Sequence, residues 1–553
     1  MARTSIFATM RVLLWLLLAA SPCFITAQSV QEFEDHWDKE RVTLRSKGLL
    51  VNGREWGEWK FWDPDGSLRE VADFEAGERE GHVVTYYSSG QVEHDGYIRN
   101  GEQDSLMQSF YRNGQLMETG TYDRGRKVGP WEYFHPNGGI MMREHCQDTI
   151  CILVEAWSED SIPWVTDGNG TMRTFHASGA LFTETTYAFG VPSGPYRSFY
   201  PAGNSKAEGG YLGGTKHGAW TYWFSDGTLE KVEHYDKGLL DGKFIQYFRS
   251  GQVNVEGRFT KGVKDSTWTW SMTTGQMDMQ GPFDNDLRQG TWKYWYPNGQ
   301  LSSTGTFEAD KESGDWVYFY EGGEFWKKGR FERGLKEGVW TTWYETGQKL
   351  QEGTYVNGKE HGEWTNWFNN GQVRTIGSFD QGRLTGTWRG WFPDGRAEYE
   401  GNWMDDQKHG AWQLYHEDGK VSEEGHYKEG RKQGPWRTYN RQGLIIGEGS
   451  FDQGEPTGQW TYFDDAGVRM REQGFLNGKP HGKCTVYDQR GRVLQTMNYR
   501  EGRLHGDMVF YDPTGKESKR ISYTEGTRSG SLPPAMKKDG QRPAAVPGMD
   551  RSR

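Results

Sequence analysis

Bulky side chains and glycines recur among polar residues along this chain at a fixed period of 24 positions. With the Trp of G-x-W taken as position 0, the register holds at residues 59, 83, 107 and 131, breaks, and runs again from 172 to 508. That makes 19 copies: position 0 is Trp in 12, position +3 is aromatic in every copy but Ser271, and position +7 is always Gly. Positions 0 and +3 are an odd number of residues apart, so on a strand they face opposite sides. Asn or Asp often precedes the invariant Gly, as in Asn298-Gly299 and Asp394-Gly395, the preferred pair for a two-residue hairpin turn with positive φ. A turn at +6 and +7 pairs position 0 with +13, which is Gly in most copies, Gly281, Gly305 and Gly329 among them. The indole is then expected to lie over the bare backbone opposite it. Position +15 brings another aromatic, such as Phe307 or Tyr355, and x-x-G-x-x-x-G closes the unit with a second turn.

The fold class predicted is all-β, an elongated repeat array of consecutive antiparallel β-hairpins with a 24-residue period. The chain divides into a signal peptide (1–27), an N-terminal cap (28–56), repeats (57–142), an insertion (143–169), further repeats (170–530) and a disordered tail (531–553). The tail assignment rests on its proline content and lack of periodicity, which leave too little apolar surface to offset ordering.

Composition sharpens this picture. Only 34% of the 553 residues are hydrophobic, while Gly (76) and Trp (26) are abundant, which points to a turn-rich repeat held by aromatics rather than an aliphatic core. The net charge of −11 supplies no field for nucleic acid and argues against lipid binding. Arg3 and Arg11 precede the apolar run Val12–Ala20, and a small-residue cleavage site follows at Ala27. The apolar stretch is short for a membrane span, which needs about 20 residues, so it reads as an export signal, with a periplasmic, cell-surface or extracellular destination. In such a compartment Cys146 and Cys151 are close enough in sequence to form a disulfide. Cys484 occupies a position-0 slot and reads as a packing residue.

The pattern G-x-W-x-x-W/Y-F/Y-x-x-N/D-G-x-L, followed by G-x-F/Y-x-x-G-x-x-x-G, resembles the MORN-repeat variant family from Gly57 to about Gly530. The family includes bacterial proteins described as antitoxin-like. The resemblance implies sheets of stacked hairpins used as scaffolds or protein-binding platforms, with membrane association proposed for some members. An antitoxin role fits poorly with an export signal, because an intracellular neutraliser has no use for one.

No catalytic constellation stands out: the chain has no G-x-S-x-G, H-E-x-x-H, C-x-x-C or P-loop. We therefore expect no enzyme, no cofactor and no metal. Five histidines (His217, His361, His409, His481, His505) share position +21, where a turn residue is a simpler reading than a ligand, since metal sites need three or four converging groups. The stronger candidate surface is the +3 aromatic column, represented by Trp223, Trp295, Trp343, Trp367 and Trp391, because a single sheet cannot bury both of its faces. The insertion offers a second candidate contact, as a loop breaking a repeat array. The function expected is an exported, non-enzymatic scaffold that binds protein or peptide partners along an extended β surface. The alternatives are a polysaccharide-binding surface protein using the aromatic columns, and an antitoxin-like neutralising protein.

Overall fold

The computed structural model describes residues 29–147 and 149–530. The segments read as a signal peptide (1–27) and a disordered tail (531–553) lie outside the described residues. Every element described is a strand, and there are 46 of them. They fall into two compact units, one ending at Gly251 and the other starting at Gln252. Within each unit, successive strands pair antiparallel with their sequence neighbours, as in 311–319 with 325–332 and 325–332 with 335–343. Within each unit the repeat is a hairpin, hydrogen-bonded to the next as in these strands.

Position 0 does pair with +13, Trp292 with Gly305 for example, but the turn that produces this pairing differs from the expected one. Gly299 N–H donates to Tyr296 O at 2.9 Å and Tyr296 N–H donates to Gln300 O at 2.8 Å, so the loop has three residues, Pro297, Asn298 and Gly299. Only Gly299 has positive φ (86°). A bulge then shifts the pairing between Tyr294 and Trp295 and restores the offset a two-residue turn would have given. Asn is favoured before the Gly for its side chain. Asn298 Oδ1 accepts from Gln300 N–H at 2.9 Å, and its Nδ2 donates to Glu321 O of the following repeat at 2.9 Å.

The two-residue turn sits at the other end of the hairpin. Val356 pairs with Lys359 across Asn357 (φ 50°) and Gly358 (φ 79°), a left-handed pair suited to the twist of the strands. The first of these two positions is left-handed even where it carries Ala309, Arg333 or Glu429. Most side chains lose about 1–2 kcal/mol in this conformation and Asn loses less. Glu429→Asn is therefore expected to stabilise its repeat by about 0.5–1 kcal/mol, read as slower amide exchange across 423–436. Unchanged exchange there would contradict the account.

Both edges of the sheet are tied from repeat to repeat. On one edge a +4 tyrosine hydroxyl donates to the +3 carbonyl of the next copy: Tyr296 to Phe319, Tyr320 to Trp343 and Tyr344 to Trp367, at 2.8, 2.8 and 3.0 Å. On the other, the turn glycines stack, with Gly334 N–H on Glu312 O and Gly358 N–H on Lys336 O.

The insertion is not a loop. Strand 150–157 pairs with 140–147 as an ordinary next strand, but its partner 163–166 is only four residues long, and the turn at Asp167-Gly168 leads straight into 169–175. The segment is a shortened hairpin that continues the sheet. The gap left by the missing residues is bridged by the following turn, where Leu153 N–H donates to Gly190 O at 2.9 Å. Leu153, Ala156 and Val165 form an aliphatic cluster in place of the usual aromatics. Cys146 and Cys151 pair across the hairpin and are disulfide-bonded, and Cys484 is a buried free thiol whose pKa burial pushes up. The cap segment holds another hairpin, Val30–His36 with Leu44–Val51, which pairs onward with Arg54–Trp62.

Candidate functional site

The two faces of the sheet differ in how completely the chain covers them. On the first, all 12 position-0 tryptophans are between 0% and 7% exposed. A single sheet achieves this because each indole lies flat on a glycine, and that glycine belongs to the preceding repeat. A Cβ built on Gly281 would fall inside the Trp292 ring, and one on Gly305 would fall inside Trp316. The expectation that Trp292 lies over Gly305 is corrected accordingly: Gly305 is its strand partner, Gly281 its floor. The indole N–H points the same way, donating to the carbonyl ten residues earlier, as Trp292 does to Pro282 at 3.1 Å and Trp364 to Thr354 at 3.2 Å. Trp436 is the exception. Its benzo edge rests on Gly425, and its buried N–H has no partner.

The +15 aromatics complete this face by standing edge-on between successive indoles. Phe307 meets Trp316 at 5.2 Å and Phe331 meets Trp340 at 5.0 Å, with interplanar angles of 88° and 83°, the arrangement that ring quadrupoles favour. A lysine four residues before the Trp often lies on the outer surface of the ring: Lys336 over Trp340 at 4.7 Å, Lys408 over Trp412 at 4.2 Å. Burial lowers the pKa of both ammonium groups. Where a Trp fills position 0, this face is a finished core with little left to offer a ligand.

The opposite face carries the +3 column. Trp223 lies in the first unit; Trp295, Trp343, Trp367 and Trp391 lie in the second, and all five are half-buried. Trp343, Trp367 and Trp391 fall in successive repeats, about 10 Å apart at two strand spacings. Their faces are partly occupied, by Phe325 (5.7 Å) and Lys328 on Trp343 and by Lys349 on Trp367. Sequence reasoning left this polar framing unread, although +9 and +12 neighbours are predictable from the hairpin pairing.

Where Tyr replaces Trp at +3, the same face opens into a groove of 480 Å³ whose lining includes Thr387, Glu400, Asn402, Gln413, Glu424, His426 and Arg437. Its side chains come from positions −1, +1, +12 and +14 of adjacent copies. Tyr439 OH donates to Glu424 Oε1 at 2.6 Å, Gln413 Nε2 donates to Glu424 Oε2 at 3.2 Å, and Thr387 Oγ1 bonds Asn402 at 2.7 Å. The Tyr439 hydroxyl holds the Glu424 carboxyl below its ordinary pKa, so Glu424 is an anion through the physiological range. Arg437 stands 3.7 Å from Glu424 and 3.5 Å from Glu448. The groove thus presents donors, acceptors and both signs of charge on a preformed surface.

Among the described residues, one cluster has metal-ligand spacing, Glu144 with Cys146 and Cys151. With both sulfurs in a disulfide, it has no thiolate to offer. Two of the position +21 histidines contact acids on the neighbouring strand instead, His217 with Asp236 and His361 with Asp380, both at 3.4 Å, while the buried Nδ1 atoms of His409 and His481 have no partner.

The profile of the MORN repeat variant family matches seven segments, 57–76, 103–124, 216–237, 288–309, 336–357, 360–381 and 408–429. This is a MORN-variant repeat protein. Its matched segments coincide with the hairpins and carry the turn glycines described above; six of them carry the G-x-W, and 103–124 has Ser105-Leu106-Met107 in its place. No curated protein sequence matches the MORN-variant chain. Solved structures similar to it include TcdB2-TccC3 without its hypervariable C-terminal region (10% identity, TM-score 0.13, covering 90% of this chain and 27% of that one). Another is a Tc holotoxin pore of Photorhabdus luminescens (11% identity, TM-score 0.13, 85% and 28%). The MORN-variant chain spans less than a third of the length of these structures, and at such scores they carry no argument about its arrangement.

Proposed function

We propose that this protein is an exported, non-enzymatic scaffold that binds protein partners through the polar face of its MORN-variant repeats. The observation that carries the reading is the asymmetry of the sheet. One face is closed by its own indoles, glycines and lysines wherever Trp holds position 0, whereas the other leaves half-buried aromatics and the groove around Gln413 and Arg437 facing solvent. A preformed groove with charges of both signs suits a polypeptide, which offers matching amides, carboxylates and ammonium groups along its length. Export rests on the apolar run Val12–Ala20 and its flanks. The polysaccharide alternative draws less support, because sugar stacking needs free ring faces and those of Trp343 and Trp367 are shared with Phe325, Lys328 and Lys349.

Capture of proteins from the source cells and their medium on the immobilised full chain tests this. Parent protein is expected to retain a specific polypeptide, and Arg437→Glu to retain about tenfold less, as for the loss of a central interface arginine. Arg333→Glu, on an exposed turn, should leave capture unchanged. Retention of glycans with no protein bound would hand the reading to the polysaccharide alternative. Equal capture by parent and Arg437→Glu would remove the groove from it.

A further inference from the structure

All 12 position-0 tryptophans have a glycine eleven residues earlier, and where another residue takes the slot the glycine is generally gone as well. Val83 faces Ala72, Tyr196 faces Thr185, Phe244 faces Glu233, Cys484 faces Gln473 and Met508 faces Met497. Met107 breaks this rule, because its floor residue, Gly96, is still bare. The nearest side-chain atom to a Cβ built on Gly96 is Met107 Cγ at 3.5 Å, an ordinary contact, whereas the tryptophan copies leave no room at all. The structure has a cavity of 220 Å³ at this place, whose lining includes Val83, Thr85, His94, Ile98, Gln103 and Met107 around the Gly96 floor. An apolar cavity of about 150 Å³ is enough to hold benzene, so this one has room for a bicyclic ring.

The polar groups around it match an indole. In the tryptophan copies the ring N–H donates to the carbonyl ten residues back, as Trp131 does to Thr121 and Trp220 to Gly210; the equivalent carbonyl here belongs to Tyr97. Thr85 Oγ1, on the wall of the cavity, is buried with no partner. The position held by Lys127 over Trp131 and Lys216 over Trp220 is Gln103, which is uncharged and exposed and leaves the entrance open. Met107 itself is an unbranched thioether that can swing aside and make sulfur–ring contact.

We propose that the gap at Met107 is a binding site for an indole ring. A ligand ring takes the place in the column that the other copies fill with their own tryptophan, resting on Gly96 between Thr85 and Ile98, with its N–H toward the Tyr97 carbonyl or the Thr85 hydroxyl. The site lies on the aromatic face, apart from the polar groove, and does not depend on the function proposed for that groove.

Titration of the full chain with indole and with N-acetyltryptophanamide, followed by the Met107 methyl resonance, tests this. Saturable shifts are expected with indole. If N-acetyltryptophanamide also binds, the natural occupant is the side chain of a polypeptide; if it is excluded, the occupant is a small free molecule. Met107→Trp supplies the ring internally and should abolish indole binding. Gly96→Ala, which the 3.5 Å clearance admits without disturbing the fold, should weaken binding by about tenfold by lifting the ring off its floor. No saturable shift with either probe, or full affinity in Met107→Trp, would overturn the proposal.

Discussion

Trp292→Ala is expected to cost its hairpin about 3–5 kcal/mol, as large-to-small changes at buried aromatic sites do, and Trp295→Ala clearly less. Three residues apart, the two side chains lie on opposite faces. Trp292 is 2% exposed, donates its N–H to Pro282 O, and contacts Phe283 edge-on at 5.2 Å and Phe307 at 6.0 Å. Trp295 is half-buried on the polar face. Amide exchange of residues 290–307 reads the difference, because in an array of repeats the loss is local before it is global. The prediction extends backwards as well as forwards: exchange should also quicken around Phe283, since the preceding repeat loses the ring that lies on it. Equal loss of protection in the two variants would defeat it.

Gly281→Ala should be the next most damaging change, at about 1–3 kcal/mol, the usual range for forcing extra volume into a packed site. The added methyl would enter the Trp292 ring at Cδ2, Cε2 and Cγ, the rigid centre of the indole rather than a movable end. Gly305→Ala should do the same to Trp316 and leave Trp292 in place. Combining Gly281→Ala with Trp292→Ala should cost less than the sum of the two, because the methyl then occupies emptied space; a double-mutant cycle measures that coupling. If Gly305→Ala disturbs Trp292 more than Gly281→Ala does, the floor has been assigned to the wrong repeat.

That assignment was available in the sequence. Of the two glycine positions related to each Trp, +13 fails at Ala72, Glu144, Glu233 and Gln473 for Trp59, Trp131, Trp220 and Trp460, while the position eleven residues earlier is Gly in all twelve. Reading one repeat as a self-contained hairpin hides this, because it looks for the partner of a ring inside the ring's own unit. The turn was misplaced for a related reason. Asn-Gly carries the left-handed two-residue signature wherever it stands, yet at 298–299 the Asn is held by its side-chain hydrogen bonds, and the left-handed pair is at 357–358. The +13 pairing came out right only because a three-residue loop and a bulge cancel. The insertion was read as a loop because it lacks the aromatic period, although Ser158 N–H to Ile162 O at 2.9 Å closes the same kind of loop on a shortened strand pair.

Local chemistry by itself determined that this chain is a run of antiparallel hairpins, which residues share a strand, and that positions 0 and +3 lie on opposite faces. Strand alternation and turn glycines act over a few residues, so a single period contains all the information they need. Only the tertiary structure decided how completely the position-0 face is closed and how far the +3 face stays open. That outcome depends on contacts between one repeat and the next: an indole on the previous glycine, a +15 ring between two tryptophans, a lysine laid over the ring, a tyrosine hydroxyl on the following carbonyl. The groove at Arg437 and the gap at Met107 are likewise properties of neighbouring copies taken together, formed where side chains from successive hairpins leave space between them.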